Sequence, residues 1–486
     1  MKLKHILIGS TIALTALCSC ADFLDVRPKQ ELVEGELFKS ASGFEDAIYG
    51  VYGSLQTTAL YGKNLTWFMN EILAQNYGSY LNNDVTPIAR YDYENARVVT
   101  PLLSEIWTQA YTAIGYVNNI LAQLEKWNPE EMQYHDLYKG EMLGVRAFLH
   151  FDLLRLFTAV NDMSANGIPY TETYSYKVTP FSSVGKVYEY ILRDLLEAEK
   201  LLKQDEELLV YPREDQSRKA FAKTRETHFN LYAAQATLAR VYWMKGDLKQ
   251  AGIYARKVID SEKFPLVDRT EVKDFLTGIL SEKETIWGVY STAWQDNTQK
   301  YLYNNKSFFS LSPYSTESGS TYPDTYQNVY AKDNDNSGTD FRMNHFRALP
   351  NGGGIRHMKL VDYMKIENLS DRADAIRGFS LLRTAEMYLI AAEALLEENP
   401  TEARKYFDLQ IASRGLNTFE NRNLPLTLEN INNEYRKEFF GEGLEWYNMK
   451  RQNRDILSNE ERTTLPASPK LYILPIPVEE YDYRNE

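Results

Sequence analysis

Cysteine is almost missing from this chain. There are two, Cys18 and Cys20, and both lie in the first twenty residues. No disulfide frame can therefore hold the body, which must rely on burial, and 486 residues give ample chain for a core. Basic excess is missing as well. The 54 Lys and Arg against 67 Asp and Glu leave a formal charge of −13, which argues against a nucleic-acid binder with its phosphate-neutralising stripe. Past the N-terminus no run is apolar enough to span a bilayer; the most apolar helical stretch, Tyr388 to Leu396, contains Glu393. No HExxH or paired-Cys spacing points to a metal, and no GxSxG or P-loop to catalysis or a nucleotide cofactor. Asn351-Gly352-Gly353-Gly354 is a flexible turn that lacks the Lys-Ser/Thr of a phosphate cradle. Carboxylates are plentiful, so a glycosidase pair is not excluded by counting; its mark is a separation that sequence does not contain.

What is present begins with an address. Lys2 and Lys4 precede Ile6 to Leu17, an apolar stretch interrupted only by Gly, Ser and Thr. This predicts a secretory signal over residues 1–19, too short to span a membrane. Leu17-Cys18-Ser19-Cys20 resembles a bacterial lipobox with Cys20 as the lipidated residue. Cys18 fits worse, because Leu17 would stand at −1 where a small residue is wanted. An ordinary signal with two incidental cysteines is the alternative. Several acyl chains, at about 0.8 kcal/mol per buried CH₂, would make a durable anchor. Asp22 and Asp25 make the stretch after Cys20 acidic, which resembles the sorting signal for the exterior face of the outer membrane in some Gram-negative bacteria.

Helical periodicity dominates the body, residues 20–486. Ile106, Ala110, Ala113, Ile114, Val117, Leu121 and Leu124 recur at helical spacing; residues 141–158 and 184–203 do the same. The clearest hairpin is 229–264. Leu231, Ala234, Leu238 and Tyr242 line one helix, Lys245-Gly246-Asp247 makes the turn, and Ala251, Ala255 and Val258 face back. The spacing matches the 34-residue helix–turn–helix repeat. A second hairpin, 380–414, turns at Asn399-Pro400. The expected fold is mainly α, with tetratricopeptide-like hairpins within about 102–264 and 380–414.

Two stretches break the pattern. Residues 61–93 hold Tyr61, Trp67, Phe68, Tyr77, Tyr80, Tyr91 and Tyr93. Residues 290–354 begin with Tyr290, Trp294, Tyr301, Tyr303, Phe308, Phe309, Tyr314, Tyr322, Tyr326 and Tyr330, and show no long helix. Both mix aromatics with Asn, Asp, Ser, Gly and Thr rather than with Leu and Val. A long irregular segment rich in aromatics is either functional or pinned to the core by those rings. On position and chemistry the candidate ligand-binding residues are Tyr77, Tyr80, Asn82, Asn83 and Asp84, with Trp294, Tyr301, Tyr303 and Tyr314. Asp333-Asn334-Asp335-Asn336-Ser337-Gly338 reads like the start of a calcium loop, but Asn344 stands where the bidentate Glu belongs. A solvated polar turn is the competing reading.

Ordered motifs across the mature chain resemble the SusD/RagB family of surface lipoproteins, which serve TonB-dependent transporters. They include Asp22-Phe23-Leu24-Asp25, Ala47-Ile48-Tyr49-Gly50-Val51-Tyr52, Trp107 with Tyr111 and Asn118-Asn119, Arg146-Ala147-Phe148 and Ile168-Pro169-Tyr170. Asp340-Phe341-Arg342, Leu382-Arg383-Thr384-Ala385-Glu386, Arg436 with Glu438, Glu442-Gly443, Trp446 to Arg451 and Leu474-Pro475-Ile476-Pro477 follow. Residues 433–436 are a looser version of the family's charged run, and Asn448 stands where Asp is commoner. The resemblance implies helical repeats on one side and an irregular ligand-binding region with short strands on the other. It implies a non-catalytic, lipid-anchored capture protein that passes an oligosaccharide to a SusC-like TonB-dependent transporter. Peptide ligands are the alternative within that role; a secreted glycosidase and a pure protein scaffold are alternatives outside it. It implies that Arg383, Glu386, Arg436 and Glu438 lock helices together rather than bind ligand.

Overall fold

The computed structural model describes residues 36–77, 85–213, 220–268, 280–298, 300, 340–348, 355–357, 359, 377–458, 463–482 and 484. The chain divides into two units, residues 1–47 and 48–486. The first unit is described from residue 36; there Phe38 and Phe44 pack ring to ring at 4.9 Å, and helix α1 (Ala41–Leu55) begins. The rest concerns the second unit. Helices of seven or more residues are numbered.

The body is mainly α-helical. α2 (Val99–Leu124), α3 (His135–Phe157), α4 (Val184–Leu201), α5 (Leu231–Lys245), α6 (Leu248–Asp260), α7 (Thr384–Leu395) and α8 (Pro400–Ser413) pack each against the next in chain order. α9 (Leu428–Glu438) and α10 (Glu445–Arg451) complete the helical side. A series in which each helix contacts its chain neighbours is the architecture of helical repeats. Among the described residues no helix is long and apolar enough to cross a membrane.

Local chemistry sets the helix ends. Asn230 caps α5 by accepting from the Ala233 amide at 2.9 Å. Gly246, at φ +86°, ends α5 in the left-handed conformation, and Asp247 caps α6 by accepting from the Gln250 amide at 3.1 Å. Asn399 caps α8 ahead of Pro400 in the same way. α6 buries Ala251, Gly252, Ala255 and Val258. A Cβ built on Gly252 would stand 2.7 Å from the Ala394 Cβ, so α6 and α7 approach as closely as their backbones permit. They do so although residues 261–383 separate them in sequence. The chain between them is thus an excursion from an otherwise continuous series of helices.

α3 is the central helix and is buried on all sides. Its apolar residues pack with aromatic edges from other segments; Phe148 meets Trp287 at 4.9 Å. Its charged residues are each paired. Arg146 Nε donates to Asp194 Oδ2 of α4 at 2.7 Å, and Arg155 Nε to Asp152 Oδ1 at 2.9 Å. Glu141 accepts from Arg225 and from Tyr52 Oη, the latter at 2.7 Å.

Among the described residues the strands form four antiparallel pairs. β1 (Asn166–Pro169) pairs with β2 (Phe181–Ser183), β4 (Phe346–Ala348) with β5 (Ile355–His357), and β7 (Ile456–Ser458) with β8 (Thr463–Leu465). β3 (Thr285–Tyr290) pairs with β6 (Gly378–Arg383), Thr285 opposite Arg383 and Tyr290 opposite Gly378. This last pair is the stem of the excursion: β3 leads out and β6 returns directly into α7.

A buried charge cluster locks that stem. Glu438 at the end of α9 accepts from Arg383 Nη1 at 2.7 Å, Arg414 Nη2 at 2.8 Å, Arg342 Nη1 at 3.0 Å and Gln410 Nε2 at 3.2 Å. Glu284, just before β3, accepts from Arg383 at 3.1 Å and twice from Arg414, at 2.9 and 3.0 Å. Arg342 also donates to Asp340 and Glu434, and Arg383 and Lys359 both donate to Glu442. On α5, Arg240 Nε donates to Glu386 Oε1 of α7 at 3.0 Å. Arg383, Glu386 and Glu438 thus lock elements together as the resemblance implied. Arg436 does so through an amide, donating to Asn76 Oδ1 at 2.9 Å.

Burial is the largest influence on Glu438 and would raise its pKa. Arg414 and Arg383 more than reverse it and hold the carboxyl well below its usual 4.5. Glu442 is likewise buried and is pulled below 4.5 by Arg383 and Lys359. A depressed folded-state pKa contributes stability that is present above the unfolded value and lost as pH falls through the folded one. Stability should therefore decline as pH drops below 4.5, and Glu438→Gln should flatten that decline. The same change should cost about 3–5 kcal/mol near neutral pH, since it leaves guanidiniums buried without their partner. Thermal unfolding as a function of pH measures both effects. Gly252→Ala should cost about 1–3 kcal/mol by forcing α6 from α7. Gly50→Ala, where a Cβ meets nothing within 4 Å, should be neutral or add about 0.5–1 kcal/mol.

Candidate functional site

The first aromatic stretch is built into the core. Tyr61 Oη donates to Asp152 Oδ2 of α3 at 2.6 Å. Tyr91 Oη donates to the Leu73 carbonyl and Tyr93 Oη to the Leu471 carbonyl, each at 2.7 Å. Tyr77, 2% exposed, donates to the Trp67 carbonyl and meets Phe440 edge-on at 5.9 Å. Every described aromatic of residues 61–93 is buried. The expectation of an exposed face at Tyr77 is therefore corrected. Its ring lies among other rings, and its hydroxyl has an acceptor, so burial costs it little.

This stretch is fastened from below by a carboxylate. Glu71 accepts from the Gly443 amide at 2.7 Å and from Asn76 Nδ2 at 2.8 Å. Burial pushes its pKa up to about 7, against the opposing hydrogen bonds from Asn76 and the backbone of Gly441 and Gly443. Asn76 in turn accepts from Arg436. Tyr80, Asn82, Asn83 and Asp84, which follow directly, lie outside the described residues.

In the second stretch Trp294 is 3% exposed and stacks on Phe379 of β6 at 5.3 Å. It is a packing residue at the stem, which corrects the expectation that it offers a ring face to ligand. Tyr290, at the end of β3, is exposed. Tyr301, Tyr303 and Tyr314 lie outside the described residues, as do the Asp333–Gly338 turn and the Asn351–Gly354 turn. Among the described residues no group of three or more His, Cys, Asp and Glu could hold a metal ion.

The described residues contain a groove that the sequence reading did not single out. Its cavity measures about 370 Å³, and its walls are Tyr111 and Gly115 of α2, the segment Pro169 to Thr179, and Glu480 and Arg484. That segment is anchored on both sides. Tyr111 Oη donates to the Pro169 carbonyl at 2.7 Å and Asn118 Nδ2 to the Thr171 carbonyl at 2.9 Å. The Thr171 amide donates to His150 Nε2 at 3.0 Å, while His150 Nδ1 lies 2.8 Å from the Arg146 carbonyl. Burial holds the His150 pKa down to about 3, so the ring is neutral and can take both roles. At the far side Arg484 Nη1 donates to the Thr179 carbonyl at 2.6 Å, and Tyr481 stacks on Phe181 at 5.8 Å. Between these anchors Tyr174 is 56% exposed and Tyr176 fully exposed. The signal for this site was present: Thr171 to Thr179 mixes Tyr with Thr, Ser and Lys, as the two longer clusters do.

A family described as "Starch-binding associating with outer membrane" matches residues 22–243, and the SusD family matches residues 266–482. The chain is 23% identical to the SusD-like protein P38 of Formosa agariphila, over 94% of this chain and 93% of that one. A SusD-like carbohydrate binding protein from Bacteroides vulgatus has the same fold, with TM-score 0.68 at 19% identity over 90% of this chain and 95% of that one. A laminarin binding SusD-like protein matches with TM-score 0.63 at 18% identity, over 91% and 97%. Two family matches that together span most of residues 22 to 482, and a relative aligned over nearly its full length, agree: this chain belongs to the SusD/RagB family.

Proposed function

We propose that this protein captures an oligosaccharide at the outer membrane and hands it to a SusC-like TonB-dependent transporter, without catalysing a reaction. The observation that supports this most is the likeness over nearly the whole chain to proteins described as carbohydrate- and laminarin-binding. The irregular excursion supports it physically. A segment rich in Tyr and poor in Leu and Val, hung on a charge-locked stem, offers stacking faces and hydroxyls on a rigid base. Tyr301, Tyr303 and Tyr314 provide the rings, and Tyr80, Asn82, Asn83 and Asp84 provide further stacking and hydrogen bonds. Cys20 carries the lipid anchor, with the body facing the cell exterior. Weak binding is compatible with this role, because a tethered protein holds its ligand at high effective concentration over its transporter.

Calorimetry of the full chain in detergent, against a panel of glycans and a protein digest, tests the reading. The expected result is saturable binding to one glycan class. The combined variant Tyr301→Ala, Tyr303→Ala, Tyr314→Ala should weaken it about ten-fold or more, each stacking ring being worth ~0.5–1.5 kcal/mol. Trp294 is left intact, since its removal probes packing. Binding to the digest alone would replace the glycan by peptides, and turnover of a glycan would replace capture by hydrolysis. Separately, Cys20→Ser should move the protein from the membrane to the soluble fraction on cell fractionation; retention in the membrane would exclude Cys20 as the anchor.

A further inference from the structure

We infer that the groove between α2 and the Pro169–Thr179 segment is a second carbohydrate site, taking a short stretch of a neutral glycan. The inference rests on the glycan reading above but uses none of the residues proposed there.

Four observations carry it. The first is size. About 370 Å³ lies at the small end of the range for small-molecule pockets, about 300–1,000 Å³, which suits one or two sugar rings rather than a long chain. The second is the lining. Tyr174 and Tyr176 supply exposed rings, while Thr171, Thr173, Ser175 and Thr179 supply hydroxyls. Apart from Pro169 and Val178, the segment contributes no aliphatic side chain to the wall. Rings beside hydroxyls match a ligand with apolar faces and a polar edge.

The third observation is charge. Glu480 and Arg484 both line the groove but are paired with each other, and Arg484 is further engaged by the Thr179 carbonyl. Glu480 also accepts from Trp107 Nε1 at 3.0 Å. Lys177 is exposed at the rim, where water screens it. The interior thus offers compensated charge, which favours a neutral ligand. The fourth is preorganisation. Tyr111, Asn118, His150 and Arg484 hold the backbone on both sides of the tyrosines, so little ordering cost remains when a ligand arrives.

Gly115 provides a clean way to close the groove. It lies within α2 and lines the cavity, and a Cβ built on it meets nothing within 4 Å. A side chain can therefore start from position 115 without a clash at its Cβ, and Gly115→Phe introduces a ring at the groove wall. Tyr174→Ala with Tyr176→Ala removes the exposed rings and leaves the anchors intact.

The test is calorimetry of the full chain in detergent with hexasaccharides of the laminari-, malto-, xylo- and mannan series, with stoichiometry resolved. Unchanged thermal midpoints certify each variant's fold. The wild type should bind its preferred hexasaccharide at two sites. The Tyr301→Ala, Tyr303→Ala, Tyr314→Ala variant should keep the groove site. Adding Gly115→Phe, or the Tyr174 and Tyr176 pair, should weaken that residual binding about five-fold or more, the loss expected from two stacking rings. Groove variants with the wild-type isotherm would overturn the second site and leave the glycan reading standing. A wild type silent to every hexasaccharide would overturn both. Groove variants that keep both glycan sites but no longer co-purify with an outer-membrane partner would make the groove a protein-docking surface, and the proposal would fall.

Discussion

The buried carboxylate of Glu438 is the point to which the rest of the structure is referred. Three guanidiniums and one amide converge on it from β6, α8 and the segment after Asp340. Two of those guanidiniums also hold Glu284, at the foot of β3. Removing ions of this size from water costs several kcal/mol each, and their mutual attraction restores it only when every partner is in place. The cluster therefore cannot form piecemeal. An apolar plug of equal volume could match its stability, but apolar contacts would tolerate sliding. Hydrogen bonds between charged groups do not, so β3, β6, α8 and α9 are fixed in one register.

That constraint matters because of where the excursion leaves the helices. α6 and α7 pack as neighbours, with Gly252 against Ala394. The chain between them must depart and return at nearly the same place. Closing so long a loop costs entropy that grows only slowly with its length, so length itself is tolerated. What must be supplied is a stem that does not fray. β3–β6 is a single strand pair, and two strands alone are marginal in water. The charge cluster at its base, with Trp294 on Phe379 beside it, stabilises what the strand pair by itself would not. An aromatic-rich segment can then start and end on a fixed base, the division of labour expected where binding residues lie on loops.

The helices were legible because their physics is local. Ala and Leu spacing, the Gly246-Asp247 turn and the Asn399-Pro400 stop each act within a few residues, and the structure uses them in those roles. α3 was only half legible. Its periodic apolar face is real, but the spacing does not show that Glu141, Arg146, Asp152 and Arg155 are buried as well, each matched by a partner from its own or another segment. The aromatic clusters were the least legible. Burying a tyrosine is easier when its hydroxyl finds an acceptor, and that acceptor can be remote. Tyr61 finds Asp152 across 91 positions, and Tyr93 finds the Leu471 carbonyl across 378. No window of sequence contains both partners.

The tyrosines of the first aromatic stretch and those of the groove are placed differently. Tyr61, Tyr77, Tyr91 and Tyr93 each donate to an acceptor inside the protein, so their rings can be withdrawn from water and spent on packing. The segment carrying Tyr174 and Tyr176 has its backbone bonded to α2, α3 and Arg484 and its Tyr170 ring buried against His150, while the rings of Tyr174 and Tyr176 stay exposed. Fixing the main chain and leaving the rings exposed is a poor way to build a core. It forgoes the transfer free energy of two large side chains, of order 1.5–3 kcal/mol for each ring that could be fully buried. Exposed in the folded and the unfolded chain alike, such rings add little to stability, and they face solvent in the way the proposed groove site requires.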